Sequence, residues 1–159
     1  MIQVEATTSA ETMRGYFGIG ILHAKTGFNI GTLWRSARIL GAQFIFTIGR
    51  RYKNQPSDTT KAWRHIPLFH YENVAQFRAG LPHDCRVIGV ELDPRAHRIS
   101  NYVHPERCVY LLGAEDHGLT REALTACHEL VVLPGNICMN VAVAGSIVMF
   151  DRIQKRVGQ

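Results

Sequence analysis

An α/β fold built on a mainly parallel sheet with helices on both faces is what this sequence predicts, and three observations predict it. Short apolar runs recur along the chain, turn-rich stretches follow them, and several of those stretches open into segments with helical spacing. The two clearest runs, Val109-Tyr110-Leu111-Leu112 and Leu130-Val131-Val132-Leu133, end in the loops Gly113 to Gly118 and Pro134 to Asn140. Loops just beyond the carboxyl ends of parallel strands line the ligand crevice of an open sheet, so the candidate active site falls in these two.

Residues 1–14 are polar and aperiodic and read as a loose arm, leaving 15–159 as one domain. Tyr16 to His23 reads as a first buried strand, and its Gly18 and Gly20 lack the third glycine that a dinucleotide fingerprint needs. Ile30, Leu33, Ala37 and Leu40 stand at helical spacing. They predict a helix over 29–40 with Asn29 as N-cap, Gly41 as stop, and Trp34, Arg35 and Arg38 on a solvated face. Gln43 to Ile48, rich in Phe and Ile, is a second strand. From Gly49 to His65 the aromatics Tyr52 and Trp63 alternate with Arg50, Arg51, Lys53, Lys61 and Arg64. That pattern suits unpaired RNA, whose bases stack on rings while its phosphates meet the charges; a solvated loop accounts for it equally well.

Ile66 to Tyr71 predicts a short strand and Glu72 to Ala79 a short helix. Cys85 to Leu92 predicts a buried strand whose Gly89 admits a close neighbour. Arg95 to Arg107 is polar and irregular, with His97 and His104 as surface residues. Cys108 to Leu112 is a strand, Thr120 to Cys127 a helix capped by Thr120, and Leu130 to Leu133 the last strand. Asn140 caps a final helix from Val141 to Lys155 that is apolar almost all round, which predicts burial on most sides. Ala142 and Gly145 would let another helix approach; such a helix serves either the core or a dimer interface.

The bulk numbers bound the answer without choosing it. A chain of 159 residues with 46% hydrophobic and 19% charged content has the composition of one globular domain. The net charge is +5 and fourteen of the eighteen cations are Arg, which leans towards RNA or another polyanion. Cys85, Cys108, Cys127 and Cys138 stand singly, with no C-x-x-C pair, and read as buried thiols of a reducing compartment rather than metal ligands. No charged-then-apolar leader opens the chain, and the apolar stretch from Ile137 to Phe150 is too short to span a bilayer, so the expectation is a soluble cytoplasmic protein. The absence of a Walker lysine, H-E-x-x-H or G-x-S-x-G leaves NTPase, zinc protease and serine hydrolase readings without an anchor. Glu115 and Asp116 are adjacent and point apart, which argues against a paired-carboxylate mechanism.

Three ordered segments then match a known pattern: Asn29-x5-Arg35, LLGAEDHGLTREAL at 111–124, and LPGNICMNVAVAGSIV at 133–148. Together they resemble the motifs of the SpoU (TrmH-like) branch of the SPOUT RNA methyltransferases, over roughly residues 16–156, and the short length resembles its minimal single-domain members. The resemblance implies transfer of methyl from S-adenosyl-L-methionine (AdoMet) to a ribose 2′-hydroxyl of tRNA or rRNA. It implies a deep trefoil knot within residues 85–159, and a homodimer with sites close to the interface. It assigns catalysis to Arg35, with Asn29 and Glu115 in support. Cofactor contacts fall after Val90-Glu91, at Gly113, and along Leu133, Gly135, Cys138, Met139 and Asn140. Arg38, Arg50, Arg51, Lys53, Lys61 and Arg64 become the candidate RNA contacts. The chain departs from the family at Cys138, where Ser is usual, so a weaker thiol donor replaces a hydroxyl. A non-catalytic RNA-binding protein on the same fold, and a base methyltransferase, remain open alternatives at this point.

Overall fold

A computed structural model describes residues 15–53 and 55–156; the predicted N-terminal arm lies outside the described residues. Seven strands alternate with four helices: β1 (Tyr16–Leu22), α1 (Gly27–Ile39), β2 (Phe44–Ile48), β3 (Leu68–Tyr71), α2 (Val74–Gly80), β4 (Arg86–Val90), β5 (His97–Arg98), β6 (Arg107–Leu112), α3 (Arg121–Ala126), β7 (Glu129–Val132) and α4 (Val141–Arg156). The strands form a single sheet in the order β3-β2-β1-β6-β4-β7-β5, with every pairing parallel. The chain places β4 and β5 first, then returns to lay β6 between β1 and β4 and β7 between β4 and β5.

Alternation along each strand divides the core into two layers. On β6, Cys108, Tyr110 and Leu112 face α1 and α4, while Val109 and Leu111 face α2 and α3. Gly18 and Gly20 of β1 turn out to serve packing. A Cβ on either would stand 2.4 Å from the ring of Phe44 or Phe46, so their bareness is what lets two aromatic rings lie flat on the sheet. Gly89 likewise gives room to Leu130, Cys127 and Leu119 side chains.

Helix α1 starts earlier than its apolar spacing predicts. Thr26 is its N-cap, without a side-chain cap bond, and Asn29 lies inside the helix and buried. The segment after β2 explains this: Gln55 and Ser57 cross the first turns of α1 so closely that a Cβ at Gly27 or Gly31 would meet them at 2.6 and 2.2 Å. Trp34, predicted on the solvated face, is buried in the core cluster, and its indole N–H is satisfied there by the Ile66 carbonyl at 3.2 Å. Within the predicted basic loop lies a short 3-10 turn, Ala62–Arg64, with Lys61 as N-cap, and the carboxylate of buried Asp58 accepts the Ala62 N–H at 2.9 Å.

The caps of α3 and α4 form as the sequence predicts: Thr120 Oγ1 accepts from the Ala123 N–H at 3.2 Å and Asn140 Oδ1 from the Ala142 N–H at 3.0 Å. Helix α4 packs on α1 through Gly145, where a Cβ would lie 2.5 Å from Leu33, and the Ser146 hydroxyl sits 2.9 Å from that of Ser36. Burial on most sides does not hold, however. Val143, Ile147 and Phe150, at i, i+4 and i+7, form an exposed apolar stripe, and Ile39 of α1 is exposed as well.

Two expectations for 95–107 fail for one reason. The stretch carries β5 and a 3-10 turn, Ile99–Asn101, and His104 is buried rather than at the surface. Its Nε2 meets Asp151 Oδ2 at 2.8 Å and its Nδ1 meets the Tyr110 hydroxyl at 2.5 Å, so both ring nitrogens are satisfied inside the protein. Buried Arg152 completes the cluster, donating to Tyr110 Oη at 3.2 Å and to the Pro105 and Glu106 carbonyls, with its guanidinium 5.0 Å from the Phe17 ring.

Candidate active site

Parallel pairing sends the carboxyl ends of β1, β6, β4 and β7 to one edge of the sheet, side by side. The loops that follow β4, β6 and β7 enclose a cavity of about 330 Å³. Its volume lies in the range of small-molecule sites. From the end of β4 and beyond come Val90, Glu91 and Leu92; after β6, the run Gly113 to Gly118; after β7, Leu133, Pro134 and Gly135 with Ile137, Cys138 and Met139. Seven of the eight sequence-predicted cofactor residues therefore line one cavity: Val90, Glu91, Gly113, Leu133, Gly135, Cys138 and Met139. The eighth, Asn140, is not among the lining residues and caps α4 beside it. Among the described residues no group of three or more His, Cys, Asp and Glu could hold a metal ion.

Two glycines set the shape of the middle loop. Gly118 has φ +64, a left-handed conformation, and donates its N–H to the Ala114 carbonyl at 2.9 Å, closing the loop on itself. A Cβ at Gly113 would stand 2.1 Å from the Gly118 carbonyl carbon, so the two ends of the loop can meet only without a side chain there. Glu91 ties this loop to the one after β4. One carboxylate oxygen accepts the Leu119 N–H at 2.7 Å and the other the Leu92 N–H at 2.9 Å. Its carboxylate is thus occupied with backbone, and what it offers a ligand is loop position.

The loop after β1 is tied to the loop after β6. Lys25 pairs with Asp116 at 2.5 Å, which raises the pKa of the lysine and lowers that of the aspartate. Neither member of this clasp is evident in the sequence, because 91 positions separate them. Deeper in, the Asn29 side-chain N–H donates to Glu115 Oε1, while Asn29 Oδ1 accepts from Asn140 Nδ2 at 3.0 Å. Asn140 in turn uses its Oδ1 on the first N–H groups of α4. Three residues named separately by sequence motif are one hydrogen-bonded row linking α1, the β6 loop and α4. Glu115 Oε2, the other carboxylate oxygen, is buried with no partner among the described residues.

The remaining predicted residues sit around this core. Arg35 is exposed on α1, outside the cavity lining, and makes no side-chain hydrogen bond or ion pair among the described residues. Arg38 donates to the Thr60 carbonyl at 2.7 Å, Arg50 to the Ala24 and Lys25 carbonyls, and Arg51 to Glu72 at 2.8 Å. Lys53 and Lys61 are exposed, and Arg64 lies 4.9 Å from the ring of half-exposed Trp63. The thiol of Cys138 is exposed in the cavity wall and that of Cys127 partly so, against the expectation of four buried thiols; the loop after β7 stands off the core and leaves Cys138 uncovered.

Comparison with known proteins agrees with this geometry. Over 76 residues, 46% of this chain, the sequence is 32% identical to 23S rRNA (guanosine-2'-O-)-methyltransferase RlmB of Acinetobacter baylyi; the chain spans 31% of that protein's length. A structure solved for 2-OH methylation of C/U34 on tRNA superposes with a TM-score of 0.78 at 21% identity, over 92% of this chain and 99% of that one. The SpoU methyltransferase AviRb from Streptomyces viridochromogenes, in complex with AdoMet, superposes with a TM-score of 0.76 at 21% identity, over 91% of this chain and 59% of that one. At such identity the superpositions speak for the fold. The model of the SpoU rRNA Methylase family matches residues 19–150, from the first strand to the last helix, and the chain belongs to that family.

Proposed function

We propose that this protein transfers methyl from AdoMet to a ribose 2′-hydroxyl of tRNA or rRNA. The observation that carries the reading is the cavity at the ends of β4, β6 and β7, hydrogen-bonded through Asn140, Asn29 and Glu115 to the helix that bears Arg35. The residues present fit the cofactor. The walls mix apolar side chains, Leu92, Ile137 and Met139, with the turn-rich loops after β6 and β7, a lining suited to an adenine, and the Gly113–Gly118 closure fixes the shape of the middle loop. AdoMet brings a methyl group already activated on a sulfonium. The protein's part is to align the hydroxyl with it and to help the proton leave.

Arginine keeps its charge in proteins, so the exposed guanidinium of Arg35 serves best by holding a substrate phosphate and stabilising the developing alkoxide. Asn29 and Asn140 fix the site from behind. Phe28, 62% exposed one residue before Asn29, and Trp63 with Arg64 offer aromatic faces beside positive charge, which supports single-stranded RNA as partner. Arg38, Arg50, Arg51, Lys53 and Lys61 fall on the same stretch of α1 and the loop after β2. Four of the six cations proposed for RNA contact already hold protein groups, so Lys53 and Lys61 are the better first contacts.

The exposed stripe of Val143, Ile147 and Phe150 on α4, with exposed Ile39 on α1, supports a homodimer through these helices. The late placement of β6 and β7 between strands already laid supports a knotted path from residue 85 onward. A cytoplasmic location is part of this proposal; among the described residues no helix is long and apolar enough to cross a membrane. The test is Arg35→Ala. Methyl transfer to total RNA should be lost while calorimetry shows AdoMet bound as tightly as by wild type; lost cofactor affinity would contradict this division of labour.

A further inference from the structure

A ribose that meets the cofactor brings its flanking phosphates to the rim of the cavity, and the cavity itself opposes them. Glu91, Glu115 and Asp116 are among its lining residues, whereas no lysine or arginine among the described residues lines it. Phosphates at such a rim meet like charge at a range shorter than the Debye length of about 8 Å, so salt does not hide it from them. A cation is needed there. None of the six cations proposed above for RNA contact is paired with a cavity residue among the described residues: Arg38 and Arg50 hold backbone carbonyls and Arg51 holds Glu72. Lys25 is so paired, with its Nζ 2.5 Å from Oδ2 of Asp116. The hydrogen bond to Asp116, with the nearby charge of Glu115 adding to it, raises the lysine's pKa, so at neutral pH the rim carries a full ammonium.

The backbone that carries Lys25 is held firmly. His23, a residue with a side chain, takes φ +51, and its N–H donates to the Ile48 carbonyl at 2.8 Å. Its ring lies against Gly49, where a Cβ would stand 2.3 Å from Nδ1. Ala24 is buried, and the Arg50 guanidinium donates to its carbonyl at 3.2 Å and to that of Lys25 as well. Left-handed backbone at a residue other than glycine persists when its surroundings outweigh the strain, and these contacts are what outweigh it here. The side chain at the end of this fixed loop is nevertheless 61% exposed, and that of Asp116 49%. Exposed ion pairs contribute little to stability, so the pair is weak enough to be exchanged. We infer that Lys25 is a further RNA-binding residue, which gives up Asp116 for a backbone phosphate when the substrate docks at the rim. This role rests on the methyltransferase reading above. The ammonium donates to a phosphate oxygen in place of the carboxylate, and the counterions that the RNA releases favour the exchange at low salt. Arg50 is then a positioning residue, acting on RNA through the loop that it holds.

Lys25→Ala and Asp116→Asn each break the ion pair, so a lysine that merely braces the loop would give both variants the same effect. A lysine that binds RNA gives them opposite ones. The test is methyl transfer from tritiated AdoMet to total RNA from cells lacking this gene, with Lys25→Arg in parallel. In Lys25→Ala the KM for RNA should rise about tenfold, the worth of one charge-assisted hydrogen bond, with most of the loss in KM rather than kcat. The slope of log KM against log salt should become shallower by about 0.7, the share of one single-strand phosphate. Lys25→Arg should keep both KM and slope near wild type. Asp116→Asn removes the competing carboxylate and should lower KM by about threefold, the size of an exposed ion pair, with the slope unchanged. A KM that rises in Asp116→Asn as well would overturn the role, because the intact pair would then be what matters. So would an unchanged KM or salt slope in Lys25→Ala, or an AdoMet affinity, read by calorimetry with AdoMet alone, that falls in step with the rise in KM. A wild-type chain that neither binds AdoMet nor methylates RNA would instead remove the reading beneath this one.

Discussion

Asn29 and Asn140, 111 positions apart in sequence, are joined by a 3.0 Å hydrogen bond. This contact makes the start of α4 and the start of α1 one unit. Asn140 Oδ1 caps α4 and its Nδ2 holds Asn29, so the two functions can be separated chemically. Asn140→Asp keeps the cap acceptor and removes the donor. Its melting temperature should change by no more than about 2–4 °C, the equivalent of 1 kcal/mol in a domain of this size. Its kcat/KM should fall about tenfold, the worth of roughly 1.4 kcal/mol. Asn29→Ala should cost more, up to about a hundredfold, because it strips the donor from a carboxylate as well. Steady-state kinetics beside thermal melts check both.

The glycines of the β6 loop should control cofactor binding without reaching any reacting group. Gly118→Ala places a side chain at φ +64 and 2.4 Å from Glu91 Oε2; Gly113→Ala collides with the Gly118 backbone. Each should weaken AdoMet binding by tenfold or more, consistent with about 1–3 kcal/mol of backbone strain, as read by calorimetry.

Cys138 stands where the resemblance expects a serine, a stronger donor than a thiol, and its thiol makes no hydrogen bond among the described residues. Cys138→Ser should bind AdoMet up to about fivefold more tightly, since one added hydrogen bond contributes around 1 kcal/mol. A covalent role for the thiol would be betrayed instead by complete loss of transfer in the same variant.

The His104 cluster makes stability depend on pH. Burial holds the His104 pKa below its ordinary value, with Asp151 opposing and Arg152 and Lys155 adding to the shift. Burial also raises that of Tyr110, which keeps its hydroxyl protonated and donating to His104 Nδ1. The neutral imidazole is therefore the folded form, with its N–H on Asp151. As pH falls below about 6.5, the unfolded chain takes up a proton that the folded one resists, so stability should drop in that direction and be fully present above it. Thermal melts between pH 8 and 5 should show the decline, and Tyr110→Phe should lower stability by about 1–3 kcal/mol by stranding His104 Nδ1 and an Arg152 N–H.

The parallel sheet, the caps Thr120 and Asn140, and the cavity loops were legible in the sequence because each is written in a local pattern: apolar runs, N-cap residues, glycines at loop ends. What was not legible depends on partners far away. Trp34 reads as solvated until the Ile66 carbonyl comes within reach, and His104 as a surface residue until Tyr110 and Asp151 converge on it. Asn29 reads as a cap because helical spacing starts there; only the crossing of Gln55 and Ser57 explains why α1 begins at Gly27. The row from Asn140 to Glu115 was visible as three motif residues and invisible as a row.

Methyl transfer to a ribose is the activity proposed for this protein. The most direct measurement is nuclease P1 digestion and mass spectrometry of RNA incubated with the purified protein and isotopically labelled AdoMet. The result predicted is label on the ribose of a single nucleotide type, as a 2′-O-methyl nucleoside, and none from Arg35→Ala. Label on a base, or no label in RNA that carries an unmodified acceptor site, would contradict it.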